Sequence, residues 1–438
     1  MRKSCRTILA MCTIAATVLA WTGVGLTKAP ERPPQPQSLQ DGNLGQALVA
    51  ADVDGDGTEE LIATAPATRD GGTALIFRQF PPRGAGKPWL ALAGGETFGW
   101  SAVGLGDLDR DGAAEFAVGA LDDSGPIASL CGTVTVFRGG NPPRRSVALS
   151  GEYAFDRFGY ALAAGDLNAD GAKDLVIGAP FHSPSPALYQ RGAVYVAFGP
   201  AYSQAALLKL PATAVNGGVG WSFAVGDINA DGTDDLLMEA TGKVLGFYGR
   251  AGFSPSLGTP DLSVTSAAGG FGRAIAVAGD LNGDGFGDIA IGAARAVAGG
   301  VAESGMVFLV KGGAGVRSIN LGAPTPDLLA AVNGAPDGER FGTSLLALGD
   351  IDGDGRPDIA VGAAHADSGA HPMTGKVYVL SGKDASGADP RALAQPIERP
   401  AEDMHFGASL ALGTGGVLFV GAPTENGNAG RVHRFRLR

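Results

Sequence analysis

Six short runs in this chain place an oxygen-bearing side chain at every second position and then turn apolar. They are Asp52, Asp54, Asp56 and Glu60; Asp107, Asp109, Asp111 and Glu115; and Asp166, Asn168, Asp170 and Asp174. The other three are Asp227, Asn229, Asp231 and Asp235; Asp280, Asn282, Asp284 and Asp288; and Asp350, Asp352, Asp354 and Asp358. Positions 1, 3, 5 and 9 of each run are therefore carboxylate or amide oxygens. Oxygen-only ligands at alternating positions suit a hard cation of flexible geometry, Ca²⁺ before Mg²⁺, with up to six ions per chain. The runs contain no His or Cys, which disfavours zinc. A glycine at position 6 (57, 112, 171, 232, 285 and 355) lets the chain turn sharply around an ion.

An EF-hand opens in the same way but needs Glu at position 12 and flanking helices. Position 12 here is Ala63, Val118, Ile177, Met238, Ile291 or Val361, all apolar and all inside expected strands. The ninth residue is therefore expected to close the cage. A single acidic turn between strands would be ordinary; six in register are not. Of the 24 ligand positions only three are Asn, in a chain whose net charge is −11. Six divalent ions would bring that charge to about +1. The same acidity argues against nucleic acid and anionic membrane surfaces as partners.

The elements that position these runs recur with them. Phe-Gly-type starts precede the loops at 98–99, 158–159, 271–272 and 341–342, with weaker forms at 44–45 and 219–220. A glycine and a β run follow, as in "GTVTVF" (132–137) and "GKVYVL" (375–380). A fourth, weaker strand is expected before the next Phe-Gly, as in "PWLAL" (88–92) and "RSVAL" (145–149). A seventh unit, from "FGASLALG" (406–413) to "GRVHRF" (430–435), passes through "TGG" with its acidic loop deleted. Helical spacing is absent. Four antiparallel strands repeated seven times predict an all-β, seven-bladed β-propeller, whose blades stack to bury faces no single blade could cover. The chain ends at strand three of unit seven, so "PQSLQ" (36–40) is expected to complete that blade by pairing with 431–435.

The flanks read differently. Residues 1–20 carry a basic start, an apolar stretch and a small-residue end, the pattern of a signal peptide. Residues 21–37 form a Pro-rich lead-in and 38–438 the propeller. The reading is a secreted, periplasmic or cell-surface protein with no membrane insertion once the signal is removed. Cys131 is the one cysteine beyond the signal, so no intramolecular disulfide is possible and calcium becomes the expected staple.

The Phe-Gly starts, the acidic loops and the "GAP" ends at 178–180 and 421–423 resemble the FG-GAP repeat, the blade unit of integrin alpha-chain propellers, over residues 44–435. The resemblance implies a seven-bladed propeller with Ca²⁺ in its strand 1–strand 2 loops. The integrin alpha chains carry fewer such loops, and leg domains and a transmembrane helix are not expected here, so integrin-style signalling is not implied.

In such a blade the 1–2 and 3–4 connections share one face and the 2–3 and 4–1 connections the other. The second face is expected to bind a protein or glycan. Its candidate residues are Asp122, Asp123, Tyr153, Asp156, His182, Tyr189, His365, His371 and His405, with Glu339, Glu402 and Asp403 beside them. Trp100 and Trp221 are read as packing near the axis. The competing expectation is an enzyme, a lyase or hydrolase working at the axial channel. His365, His371 and His405 are then the one cluster with acid–base chemistry to offer.

Overall fold

The computed structural model describes residues 42–437 apart from 69–70, 81–86, 184–188, 213–217, 368–372, 384–395 and 399–404. The signal and lead-in readings, the closing strand expected at 36–40, and His371, Glu402 and Asp403 lie outside the described residues.

The chain forms seven small sheets in sequence order. Blade one holds β1 (Leu48–Ala51), β2 (Glu60–Ala65), β3 (Thr73–Phe77) and β4 (Leu90–Ala93). Blade two holds β5 (Ser101–Gly106), β6 (Glu115–Ala120), β7 (Thr133–Arg138) and β8 (Arg144–Ser150). Blade three holds β9 (Leu162–Gly165), β10 (Asp174–Ala179), β11 (Ala193–Ala197) and β12 (Leu208–Pro211). Blade four holds β13 (Phe223–Gly226), β14 (Asp235–Glu239), β15 (Lys243–Phe247) and β16 (Leu262–Thr265). Blade five holds β17 (Phe271–Gly279), β18 (Asp288–Ala293), β19 (Met306–Val310) and, after an inserted strand, β21 (Leu328–Asn333). Blade six holds β22 (Phe341–Gly349), β23 (Asp358–Ala363), β24 (Lys376–Leu380) and β25 (Ile397–Glu398). Blade seven has β26 (Ser409–Gly413), β27 (Val417–Ala422) and β28 (Arg431–Arg436) among the described residues.

Second strands are buried along their whole length: ELIATA, EFAVGA, DLVIGA, DLLME, DIAIGA, DIAVGA and VLFVGA have no exposed residue. A blade covered by a neighbour on each face needs apolar residues on both sides of the strand, which is why these runs do not alternate. Fourth strands are more exposed, and two of them alternate, LALA at 90–93 and LSVT at 262–265.

Neighbouring blades meet backbone to backbone. Adding a Cβ at Gly178 would bring it 2.1 Å from the Gly220 carbonyl oxygen of the next blade. Serines knit four of the blade boundaries: Ser101, Ser222, Ser344 and Ser409 each donate Oγ–H to the carbonyl of the next Phe-Gly-type glycine, at 2.5–2.6 Å. The Ser409 bond goes to Gly45 of blade one, and first strands touch first strands all round, with β1 against β26. The ring therefore closes within the described residues by a serine junction also used at three other blade boundaries.

One departure from four antiparallel strands is an insertion. β20 (Arg317–Asn320), which follows β19 in the chain, leaves its own blade and pairs in parallel with β16 of blade four. It covers that blade's outer edge and accounts for the longest spacing between acidic loops, from Asp280 to Asp350.

Candidate metal centres and the opposite face

Each acidic run forms the strand 1–strand 2 connection, and its ninth residue is the first residue of strand two. The loop is folded around its first aspartate. Asp52 accepts the Gly57 N–H on Oδ2 at 2.8 Å, and this bond recurs at Asp107, Asp166, Asp227, Asp280 and Asp350 at 2.8–3.0 Å. The position-6 glycines have φ between 85° and 94°, so the turn requires them. Position 4 is also left-handed and is filled by Arg110, Ala169 and Ala230 at φ near 60° in three loops.

The ninth carboxylate does more than close a loop. Asp235 Oδ2 accepts the Ile228 N–H at 2.9 Å, and Oδ1 accepts the Gly249 N–H, just beyond strand three, at 2.8 Å. Glu115, Asp174, Asp288 and Asp358 make the same pair of bonds. Glu60 accepts the Val53 N–H, while its buried Oε1 has no hydrogen-bond partner among the described residues. This residue thus ties loop, strand two and strand three together. The sequence offered no signal for the third tie, because the partner amide lies up to 25 residues away.

Electrostatics mark the same six positions. Burial, reinforced by neighbouring aspartates and opposed by the backbone N–H bonds, pushes Glu60 and Asp235 up to about 7. Asp174, Asp288 and Asp358 rise to about 6, and Glu115 moves in the same direction. A buried carboxylate among other acids lacks a counter-charge, which a divalent cation supplies. In three loops one oxygen each from positions 1, 3 and 9 lies within 4.8 Å of the others: Asp52/Asp54/Glu60, Asp107/Asp109/Glu115 and Asp350/Asp352/Asp358. In the other three loops position 3 is Asn168, Asn229 or Asn282, whose Nδ2 donates to the position-5 aspartate at 2.9–3.0 Å. The oxygen sets fit a hard cation. Cationic neighbours also reach the loops from the ends of third strands: Arg78 pairs with Asp54 at 2.5 Å and Arg138 with Asp109.

On the other face the candidate ligand residues divide. Tyr153 and Tyr189 are exposed, and Asp122 and Asp123 are half-buried, with Arg157 4.0 Å from Asp122 and Thr133 donating to Asp123 at 3.4 Å. Burial raises Asp123 above the usual carboxylate range. Asp156 and His182, expected among the ligand residues, are buried and paired to each other, Nδ1 to Oδ2 at 2.9 Å. Asp156 also accepts the Tyr153 N–H at 3.0 Å. Those two belong to the scaffold beneath the loops. Glu339 is likewise buried, accepting the Tyr378 hydroxyl at 2.8 Å. His365 and His405 do come together, with ring centroids 4.8 Å apart. Arg340 lies 3.0 Å from His365 Nε2, and Thr424 Oγ1 lies 2.7 Å from His405 Nδ1. Burial first, then Arg340, holds both imidazoles below the usual range, His365 at about 4.

Along the first strands Trp100 meets Tyr160 at a tilt, 5.8 Å between centroids, and Tyr160 meets Trp221 edge to face at 4.9 Å. The tryptophans pack there as expected, yet Trp221 also lines a cavity of about 340 Å³ that sequence reasoning missed.

Comparison with known proteins agrees with this architecture. The FG-GAP repeat profile matches residues 44–77, 158–197, 271–310 and 341–380. Integrin alpha pat-2 of Caenorhabditis elegans is 32% identical over 259 residues, spanning 53% of this chain and 20% of that protein. Phosphatidylinositol-glycan-specific phospholipase D of Homo sapiens is 31% identical over 188 residues, spanning 39% of this chain and 22% of that protein. The solved structure of BBS1N in complex with ARL6DN aligns at a TM-score of 0.50 and 11% identity, covering 90% of this chain and 93% of that one, a likeness of fold alone. The molecule is a seven-bladed propeller, four of whose blades match the FG-GAP repeat. More narrowly, its repeats are similar to those of integrin alpha chains, and the chain spans about a fifth of the length of the curated relatives it matches.

Proposed function

We propose that this chain is an exported, calcium-stabilised binding module that captures an extracellular protein or glycan on the face opposite its acidic loops. The six loops would hold Ca²⁺ through positions 1, 3, 5 and 9, and the ion would supply the counter-charge that the buried ninth carboxylates lack. One observation carries the assignment of the binding face. Of the eight large hydrophobic side chains exposed among the described residues, Ile127, Leu130, Tyr153, Phe155, Tyr189, Val297 and Met373 lie on 2–3 or 4–1 connections; Val316 alone does not. Exposed apolar groups gathered on one face of a rigid scaffold mark an interaction surface. Leu130 and Phe155 are adjacent, joined by a backbone hydrogen bond of 2.8 Å.

A binding role fits better than catalysis. His365 and His405 lie tilted against each other, partly buried and already engaged by Arg340 and Thr424. Among the described residues no helix is long and apolar enough to cross a membrane. The test is capture of extracellular-matrix proteins and arrayed glycans by the calcium-loaded chain, compared with Y153A/F155A and with V316S. Loss of binding in the first variant alone is expected. Loss in V316S alone, with Y153A/F155A binding normally, overturns the reading.

A further inference from the structure

The axial cavity of about 340 Å³ lies on that same face, and the residues after the Phe-Gly-type glycines of four successive blades line it: Tyr160, Trp221, Arg273 and Thr343. Two local features open it. Blade four turns from β14 to β15 through Ala240, Thr241 and Gly242 alone, whereas the corresponding connection in blade five runs from 294 to 305. Glu239 stands at the second-strand position that is Gly119, Gly178, Gly292, Gly362 or Gly421 in five other blades. The close backbone approach that excludes a side chain at those glycines is relaxed here.

Glu239 is 4% exposed. Its Oε1 accepts the Gly242 N–H at 3.3 Å, while the buried Oε2 has no hydrogen-bond partner among the described residues. Arg273 lies 4.3 Å from the centre of the Trp221 ring. Arg273 and Arg295 are both exposed and neither forms an ion pair among the described residues, while Arg340 is held by Glu303 at 3.0 Å. The opening therefore presents two available guanidiniums, an aromatic wall and a buried acceptor without a donor. It does so on a chain whose net charge is −11.

We propose that this cavity binds an acidic sugar: Arg273 and Arg295 take the carboxylate, Trp221 and Tyr160 face the C–H side of the ring, and Glu239 Oε2 accepts a hydroxyl. A neutral sugar would bring no anion to Arg273 and Arg295, whose acidic neighbours Glu239 and Glu303 form no ion pair with them. An acidic side chain would bring a second carboxylate toward Glu239 and no hydroxyl. The volume is at the small end of ligand pockets, roughly 300–1,000 Å³, which suits a single terminal residue. The inference rests on the binding face proposed above and names one ligand class within it.

Calorimetric titration of the full, calcium-loaded chain with D-glucuronate, D-glucose and glutarate tests it. Glucuronate should bind more tightly than either of the others. R273Q/R295Q should weaken glucuronate roughly tenfold or more, because charge-assisted hydrogen bonds are lost at exposed side chains. E239Q should weaken glucuronate about fivefold and should not weaken glutarate, whose second carboxylate loses a like-charged neighbour; unchanged melting of each variant shows that the ring is intact. The inference is overturned if glucose or glutarate matches glucuronate, or if R273Q/R295Q binds as well as the parent. Y153A/F155A separates the two readings: matrix or glycan capture lost in that variant, with no glucuronate binding by the parent, leaves the outer-loop surface standing and removes the axial site.

Discussion

Replacing Asp235 by asparagine separates what its carboxylate does for the fold from what it does for a metal. The side chain is fully buried and accepts two backbone N–H groups, from Ile228 at 2.9 Å and Gly249 at 2.8 Å. Asparagine keeps the shape but offers one oxygen, so one of those amides meets an NH₂ group instead. A buried donor left unpaired costs about 1–3 kcal/mol in any buffer. A second effect opposes it when no cation is bound. A carboxyl raised to about 7 contributes its stability below the unfolded value and loses it as pH rises through 7. At pH 8 the ionised group is then a cost, and the amide removes that cost. In EDTA the variant should therefore lie within about 2 kcal/mol of the parent. Calcium breaks the balance. At tenfold excess over Kd the parent gains about 1.4 kcal/mol at this site, and at hundredfold about 2.7, which the variant does not recover. Urea unfolding followed by tryptophan fluorescence, with calcium and with EDTA, measures the difference between the two destabilisations, and elemental analysis should find one calcium fewer per chain. If D235N is destabilised equally in both buffers and its metal content matches the parent, the assignment of these loops to calcium is wrong.

Two further outcomes follow from backbone and charge. Ala230 holds φ at 61° in a position where other loops use glycine, so Ala230→Gly should relieve about 1–2 kcal/mol of left-handed strain. About 0.5–1 kcal/mol of that returns as backbone entropy, and a small rise in the urea midpoint is expected; a fall would show that the loop does not need this conformation. His365, held at about 4 by burial and by Arg340, contributes stability that is present above pH 6.5 and lost as pH falls toward 4. Discounted for partial exposure, the effect is about 1–2 kcal/mol, so H365Q should narrow its deficit against the parent between pH 7 and pH 4, and a deficit constant with pH would refute the cause.

Much of this molecule was legible because its determinants are local. The acidic runs, the Phe-Gly starts and the apolar second strands each lie within a few residues, and their repetition fixed the blade count. The deletion in unit seven was equally visible: β26 and β27 are joined by residues 414–416 alone. What escaped depends on partners distant in sequence. Asp156 and His182 are polar residues in long connections, which reads as exposure, but they are 26 residues apart and bury each other. The β20 insertion carries no local signal, because its partner, β16, belongs to the preceding blade. Glu239 was visible as an exception to the glycine pattern, and only the neighbouring blade's backbone shows what that exception displaces.

The ninth carboxylate also explains how one ring can keep a constant face and a variable one. Its bonds to the strand 1–strand 2 loop and to the exit of strand three lie at the same end of the blade, so those connections are coupled in blades two to six. The strand 2–strand 3 connections emerge at the opposite end, beyond the reach of that carboxylate. They run to a dozen residues in blade five, three in blade four and eight in blade seven without disturbing the strands they join. Length and composition there are set by what the loops touch rather than by what holds the ring. The same separation predicts independence in solution: removing calcium should lower stability through the acidic face while leaving the side chains around Trp221 and Arg273 in place until the ring itself opens.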